Sequence, residues 1–160
     1  MNKTITMILA LLLGTAANAQ TNIDLGGISA DPKAPVEVSA DNLSVDQDSG
    51  TAVFSGNVVI GQGDLRLSAG SVRVVYSDST GDIAQLLATD GVTLVTDSEA
   101  AEAATADYNL TTGILTLSGS VLLTQGASAL SAEQMTIDLN SGRAQMSGRV
   151  RTVFQQDGNN

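Results

Sequence analysis

At 160 residues the chain has room for one domain with short terminal segments. Seven Lys and Arg against seventeen Asp and Glu give a formal net charge of −10, which repels polyphosphate and argues against a nucleic-acid partner. His, Cys and Trp are absent, which rules out imidazole bases, thiol nucleophiles, disulfides, and zinc or haem sites with His or Cys ligands. The four aromatics, Phe54, Tyr76, Tyr108 and Phe154, are few for a sugar cleft or a base-stacking surface. The apolar 42% is mostly Val, Leu, Ile and Ala, set among Thr, Ser and Gly, a mixture that favours β-structure.

The first nineteen residues read as an export signal. Lys3 supplies the positive start, an apolar run of about ten residues follows, and Ala17-Asn18-Ala19 fits the small-x-small cleavage pattern. Cleavage between Ala19 and Gln20 is expected, because so short a run cannot span a hydrocarbon core of roughly 30 Å. The mature protein is therefore expected to be exported, soluble and without disulfides. Residues 20–35 hold both prolines, Pro32 and Pro35, and Gly26-Gly27, and read as a flexible lead-in.

Residues 36–154 contain no Pro, which suits uninterrupted sheet ladders. They also repeat. A Ser or Thr followed by Gly recurs at Ser49-Gly50, Thr80-Gly81, Thr112-Gly113 and Ser141-Gly142, with the glycines 31, 32 and 29 residues apart. A second glycine step follows each, at Gly56, Gly91, Gly119 and Gly148. A small residue and an acid open three units, at Ala40-Asp41, Ala106-Asp107 and Ala132-Glu133, and Gln62-Gly63 recurs as Gln125-Gly126. Four units near 30 residues imply stacked supersecondary pieces that cannot bury a face singly.

Within the units apolar residues alternate with period 2, the strand signature. Leu43 and Val45 share a face, as do Leu65 and Leu67, Val72 and Val74, Val92 and Leu94, Leu115 and Leu117, and Ile137 and Leu139. The phase carries across the second glycine: Phe54, Leu117 and Met146 stand two before it, and Val58, Val121 and Val150 two after. One segment conflicts. Residues 98–106 (SEAAEAATA) have helix propensity where the repeat requires strand, and the repeat predicts strand. The expected architecture is all-β, with short antiparallel strands curled around one apolar interior.

The run VEVSADNLSVDQDSGTAVFSGNVVIGQGDLRLSAGSVRVVY over residues 36–76 resembles the opening of the OstA-like domain family. The Ala40-Asp41 opener, the Phe-Ser-Gly-Asn-Val turn at 54–58, the Gln62-Gly63 step and the Leu-x-Leu-x-Ala run at 65–69 carry the resemblance. It extends more weakly through Tyr108 and Ser118-Gly119 to Phe154. It implies an open-ended β-jellyroll, no catalysis, no cofactor and no metal. It also implies transport of lipopolysaccharide across the envelope of a Gram-negative bacterium, with the acyl chains of lipid A in an interior groove. The partners implied are an anchored inner-membrane export component, an outer-membrane translocon and further copies joined head to tail. The expected export signal and the chain length point to the soluble bridge of that system. Residues 155–160 lack the basic tail common in the family.

A lipid groove needs an apolar trough without unpaired polar groups. The candidates are Val36, Val38, Leu43 and Val45 in the first unit, then Phe54, Val58 and Ile60. Leu65, Leu67, Val72 and Val74 follow, then Val92, Leu94, Leu115, Leu117 and Val121. The alternation alone equally describes a packed core, so the groove is what the resemblance adds. The sheet edges, unblocked by Pro, are candidate docking strands: Val36, Val38 and Val45 on the first, Met146, Val150 and Phe154 on the last. Arg66, Arg73, Arg143, Arg149 and Arg151 offer cations for phosphates or ordinary solvated faces. Asp46-x-Asp48-x-Gly50 resembles the start of a calcium loop, but Asn57 stands where a bidentate acid is needed. Glu99 and Glu102 form a carboxylate pair without a sugar platform. The competing function is a structural, self-associating β-repeat module of the cell envelope, of solenoid or adhesin type.

Overall fold

The computed structural model describes residues 21–24, 28, 30–31 and 33–154. The expected export signal with its cleavage site, and the tail, lie outside these residues. Among them are twelve strands: β1 (Thr21–Asp24), β2 (Glu37–Ser39), β3 (Asn42–Asp46), β4 (Thr51–Gln62), β5 (Leu65–Tyr76), β6 (Ile83–Val95), β7 (Glu99–Ala103), β8 (Thr105–Asn109), β9 (Ile114–Gln125), β10 (Ser128–Asp138), β11 (Arg143–Ser147) and β12 (Arg151–Val153). All ladders are antiparallel, and the predicted strand over residues 98–106 is present as β7 and the start of β8.

The long strands cross between two half-sheets. The first half pairs β3, the starts of β4, β6 and β9, the ends of β5 and β10, β8, β11 and β1. The second pairs β2, the ends of β4, β6 and β9, the starts of β5 and β10, β7 and β12. The Ser/Thr-Gly turns tie off the free end of the first half. Gly81, Gly113 and Gly142 each donate their N–H to the carbonyl four residues back, on Ser77, Asn109 and Asp138. That geometry places each glycine at φ near +70°, where a Cβ is disfavoured.

A crease separates the halves, and left-handed residue pairs build it: Gly56-Asn57, Asp90-Gly91, Gly119-Ser120 and Gly148-Arg149. Ladder registers slip there, between Ser55 and Val58, Ala69 and Ser71, and Ala132 and Gln134. Such bulges bend a strand while leaving its inward face in phase. The facing strand donates a backbone N–H to the glycine carbonyl in three places: Asp41 to Gly56, Ala104 to Gly119 and Glu133 to Gly148. Asn57 and Arg149 reach back to the carboxylates of Asp41 and Glu133 at 2.8 Å each. The unit opener is thus Ala40-Asp41, Ala103-Ala104 and Ala132-Glu133. The sequence reading had placed the middle one at Ala106-Asp107, three residues late. Asp107 instead accepts a 2.7 Å hydrogen bond from Gln85 within the first half-sheet. In the second unit Gly70 takes the place of the opener's acid, facing Asp90.

The stretch read as a flexible lead-in contributes to the fold. β1 pairs with β11, Ile28 and Ala30 are buried, and the Ala30 N–H donates to the Leu139 carbonyl. Prolines and glycines gave no periodic signal there, and the partners lie at the far end of the chain. The edges follow. Among the described residues β2 and β3 pair only with β4, β12 only with β10 and β1 only with β11. The expected last strand is two, β11 and β12, broken by the Gly148-Arg149 pair. Met146, assigned to a docking edge, is buried on β11 beneath β1.

The crease glycines are testable against the turn glycines. A Cβ on Gly119 would sit 2.6 Å from that of Ala104, whereas one on Gly81 meets nothing within 4 Å. Gly81→Ala should cost about 1 kcal/mol from its positive φ alone. Gly119→Ala should cost about 2–4 kcal/mol, since overpacking is added. Urea unfolding of the two variants measures the difference.

Candidate functional site

The inner face of the folded sheet is the candidate site. Of the predicted groove residues, Val58, Ile60, Leu65, Leu67, Val72, Val74, Val92, Leu94, Leu115, Leu117 and Val121 are buried there. Val36, Val38 and Phe54 are partly buried against them. Leu43 and Val45 lie opposite Phe54 and Ala52 and continue the inner face onto the edge strand β3, but they are 56% and 61% exposed. At the other end Thr152 pairs with the inward Leu130, which puts Val150 and Phe154 on the inner side of β12, and Phe154 is 73% exposed. The apolar face therefore runs through the molecule and emerges at both edges.

Sequence reasoning missed several inward residues. Met135 on β10 and Leu123 on β9 are fully buried, and so is Ile137, whose alternation with Leu139 the sequence showed but which was not assigned to the groove. Leu86 escaped because the run Leu86-Leu87 has no readable phase; its pairing with Val74 turns it inward. Tyr108 was noted as an aromatic and as part of the family resemblance, not as an inward residue. Its hydroxyl donates to Gln62 Oε1 at 2.9 Å, joining β8 of the first half to the free end of β4 in the second. Gln62 Nε2 in turn donates to the Ala34 carbonyl at 3.3 Å. Burial pushes the Tyr108 phenol above its ordinary value of 10, and the Gln62 contact partly offsets the shift. Beside this pair, the side chains of Ile60, Leu65, Leu67, Leu86, Ala88, Ala106 and Leu115 enclose about 10 Å³, space for one water at most. Here the two half-sheets are in packed contact.

The charged candidates are dispersed. The five arginines are exposed: Arg66 hydrogen-bonds its own turn at the Gly63 and Leu65 carbonyls, and Arg149 pairs with Glu133. At 90% and 57% side-chain exposure that ion pair contributes little stability. Glu99 is buried and accepts a 2.6 Å hydrogen bond from Gln125, whereas Glu102 is exposed, so the two do not flank one space. The Ser49 side chain, with the N–H groups of Ser49 and Asp48, holds the Asp46 carboxyl below its usual range. That carboxylate is committed to closing the β3–β4 turn.

The sequence profile of the family described as "LptA/(LptD N-terminal domain) LPS transport protein" matches residues 37–143. An uncharacterized protein of Rhizobium meliloti is 29% identical over 154 residues, spanning 89% of this chain and 83% of its own length. The lipopolysaccharide export system protein LptH of Pseudomonas aeruginosa is 33% identical over 75 residues, 47% of this chain and 42% of that protein. This chain thus aligns with less than half of that relative. A crystal structure of LptH, described as the LptA-homologous periplasmic component of the lipopolysaccharide transport device of P. aeruginosa, superposes with a TM-score of 0.70. It does so at 19% identity over 79% of this chain and 99% of that one, which establishes the shared β-jellyroll-like fold.

Removing the Tyr108 hydroxyl leaves the buried Gln62 amide short of a partner. Tyr108→Phe should cost about 1–3 kcal/mol in urea unfolding, and Tyr108→Phe with Gln62→Leu distinctly less. A phenol whose pKa is raised by folding stabilises the folded state fully below pH 10, and that contribution is lost as pH rises through the folded value. Thermal melts should therefore show a loss above pH 10 that is smaller in Tyr108→Phe.

Proposed function

Because the chain belongs to the LptA/LptD N-terminal domain family of lipopolysaccharide transport proteins, we propose that it carries lipopolysaccharide across the periplasm with the acyl chains on the apolar inner face. One observation carries the reading: the inner face is apolar along its length and its side chains are left uncovered at both edges, at Leu43 and Val45 and at Val150 and Phe154. A core that served stability alone would gain by covering them, since exposed apolar area forfeits about 25 cal/mol per Å². Net charge −10 repels an anionic glycolipid at long range. Affinity then rests on acyl burial, at about 0.8 kcal/mol per methylene.

Passage from one membrane to the other needs a continuous path. Among the described residues, edge strands β2 and β3 at one end and β12 and β1 at the other have main-chain groups without a ladder partner on one side, the requirement for β-augmentation. Glu37, Asp41 and Asp46 lie at the first end, Arg149 and Arg151 at the second, so head-to-tail copies meet with opposite charge. Such a heterologous contact does not close and extends into a filament. The same edges are the docking strands for an inner-membrane component and an outer-membrane translocon.

A photo-crosslinking residue at Val58 or Leu117 should capture lipopolysaccharide in cells, and one at Asn57 or Arg66, on the outer face, should capture far less. Equal capture at both sets removes the acyl-face reading. Mass spectrometry of protein purified from the envelope should find lipid A; a purely structural β-repeat would carry none. For the edges, Leu43→Glu and Phe154→Glu, both at exposed positions, should weaken self-association at least tenfold in analytical ultracentrifugation while leaving Tm within about 2 °C.

A further inference from the structure

The interior is closed at its mouth by the chain's own N-terminal segment. Ile28 and Ala30, at 1% and 7% exposure, belong to the same buried cluster as Leu65 and Leu115 of the two half-sheets. The segment touches the free ends of both halves. The Ala30 N–H donates to Leu139 of the first at 3.3 Å, and the Ala34 carbonyl accepts from Gln62 of the second at 3.3 Å. Both bonds lie beyond the 2.7–3.2 Å range of well-formed N–H···O contacts. A recess of about 490 Å³ is lined by Ala34, Val36, Asp82, Ile83, Leu110 and Asn140, with Gln62 and Tyr108 in its wall. The same Gln62–Tyr108 pair also borders the small enclosed apolar space, so it stands between the two.

We propose that Ile28, Ala30 and residues 33–36 form a strap that seals the mouth, and that an entering acyl chain displaces Ile28 from the interior and opens the Tyr108–Gln62 clasp. This rests on the acyl-face reading of the preceding subsection. The physical argument is exchange of like for like. Ile28 is a branched alkyl group in an apolar cluster, so an acyl methylene run that replaces it preserves the burial it supplied. The crease cannot open instead, because its left-handed pairs and close glycine approaches fix it. Among the described residues the mouth is bridged by the Ala30–Leu139 and Gln62–Ala34 hydrogen bonds and by the neutral Tyr108–Gln62 pair.

The chain has no Cys, so a lock is clean to build. A Cβ on Gly63 would lie 4.0 Å from that of Ala34, within disulfide reach. The experiment follows uptake of fluorescently labelled lipopolysaccharide by stopped flow in three proteins: wild type, Ala34→Cys with Gly63→Cys, and Ile28→Ala. Oxidation of the Cys pair should slow uptake at least tenfold, and reductant should restore it. Ile28→Ala should accelerate uptake at least threefold. Because Gly63 sits at φ +58°, the Cys pair carries some strain; if it does not fold, Ile28→Ala decides alone. Equal rates in oxidised and reduced pair, with Ile28→Ala at the wild-type rate, overturn the strap and leave the acyl face standing. Absence of uptake by every protein, reduced or oxidised, overturns the acyl face and the strap with it.

Discussion

Four left-handed backbone pairs, on β4, β6 and β9 and between β11 and β12, fold one antiparallel sheet onto itself, and the remaining architecture follows from that line. A bulge bends β4, β6 and β9 without exchanging their faces, so Phe54 and Val58, or Leu117 and Val121, point into one interior from two half-sheets. The inward positions of the central strands are then enclosed between the two half-sheets, and only the edge strands leave theirs uncovered. The Ser/Thr-Gly turns and the Gln-Gly hairpins are carried to the same side, where the free ends meet. Tyr108 reaches Gln62 only because the crease swings β8 over the end of β4.

The same geometry separates what is fixed from what is held lightly. At the crease, added atoms at Gly56, Gly70, Gly119 or Gly148 would collide with the facing strand at 2.7 Å or less. At the mouth, contact is by side-chain amide, phenol and alkyl groups. A fold with a stiff spine and a weak seam can vary its interior volume while its strand register stays constant. That property suits an apolar cargo of variable bulk.

Much of this was legible in the sequence because a period of two and a repeat near thirty are both local signals. The alternation identified Leu65, Leu67, Val72, Val74, Leu115 and Leu117 as inward, and the repeat overrode the helix propensity of residues 98–106. The failures share a cause, which is that the deciding partner is distant. Ala103-Ala104 lacks the acid that marked the other openers, and only its bond to Gly119 identifies it. Leu86 has no phase of its own and takes it from Val74. Met146 is edge-like in sequence but covered by a strand that begins at Thr21. The Tyr108–Gln62 pair spans 46 residues, and nothing in either neighbourhood announces it.

The covering of β11 by β1 has a kinetic side. Most ladders here join strands that follow one another closely and can form as hairpins emerge. β1 and Ala30 must wait for β11 and Leu139, so their closure carries the largest loop entropy in the molecule. During synthesis the N-terminal segment emerges first and docks last. For that interval the nascent domain has a formed crease, an unsealed mouth and an uncovered strand edge.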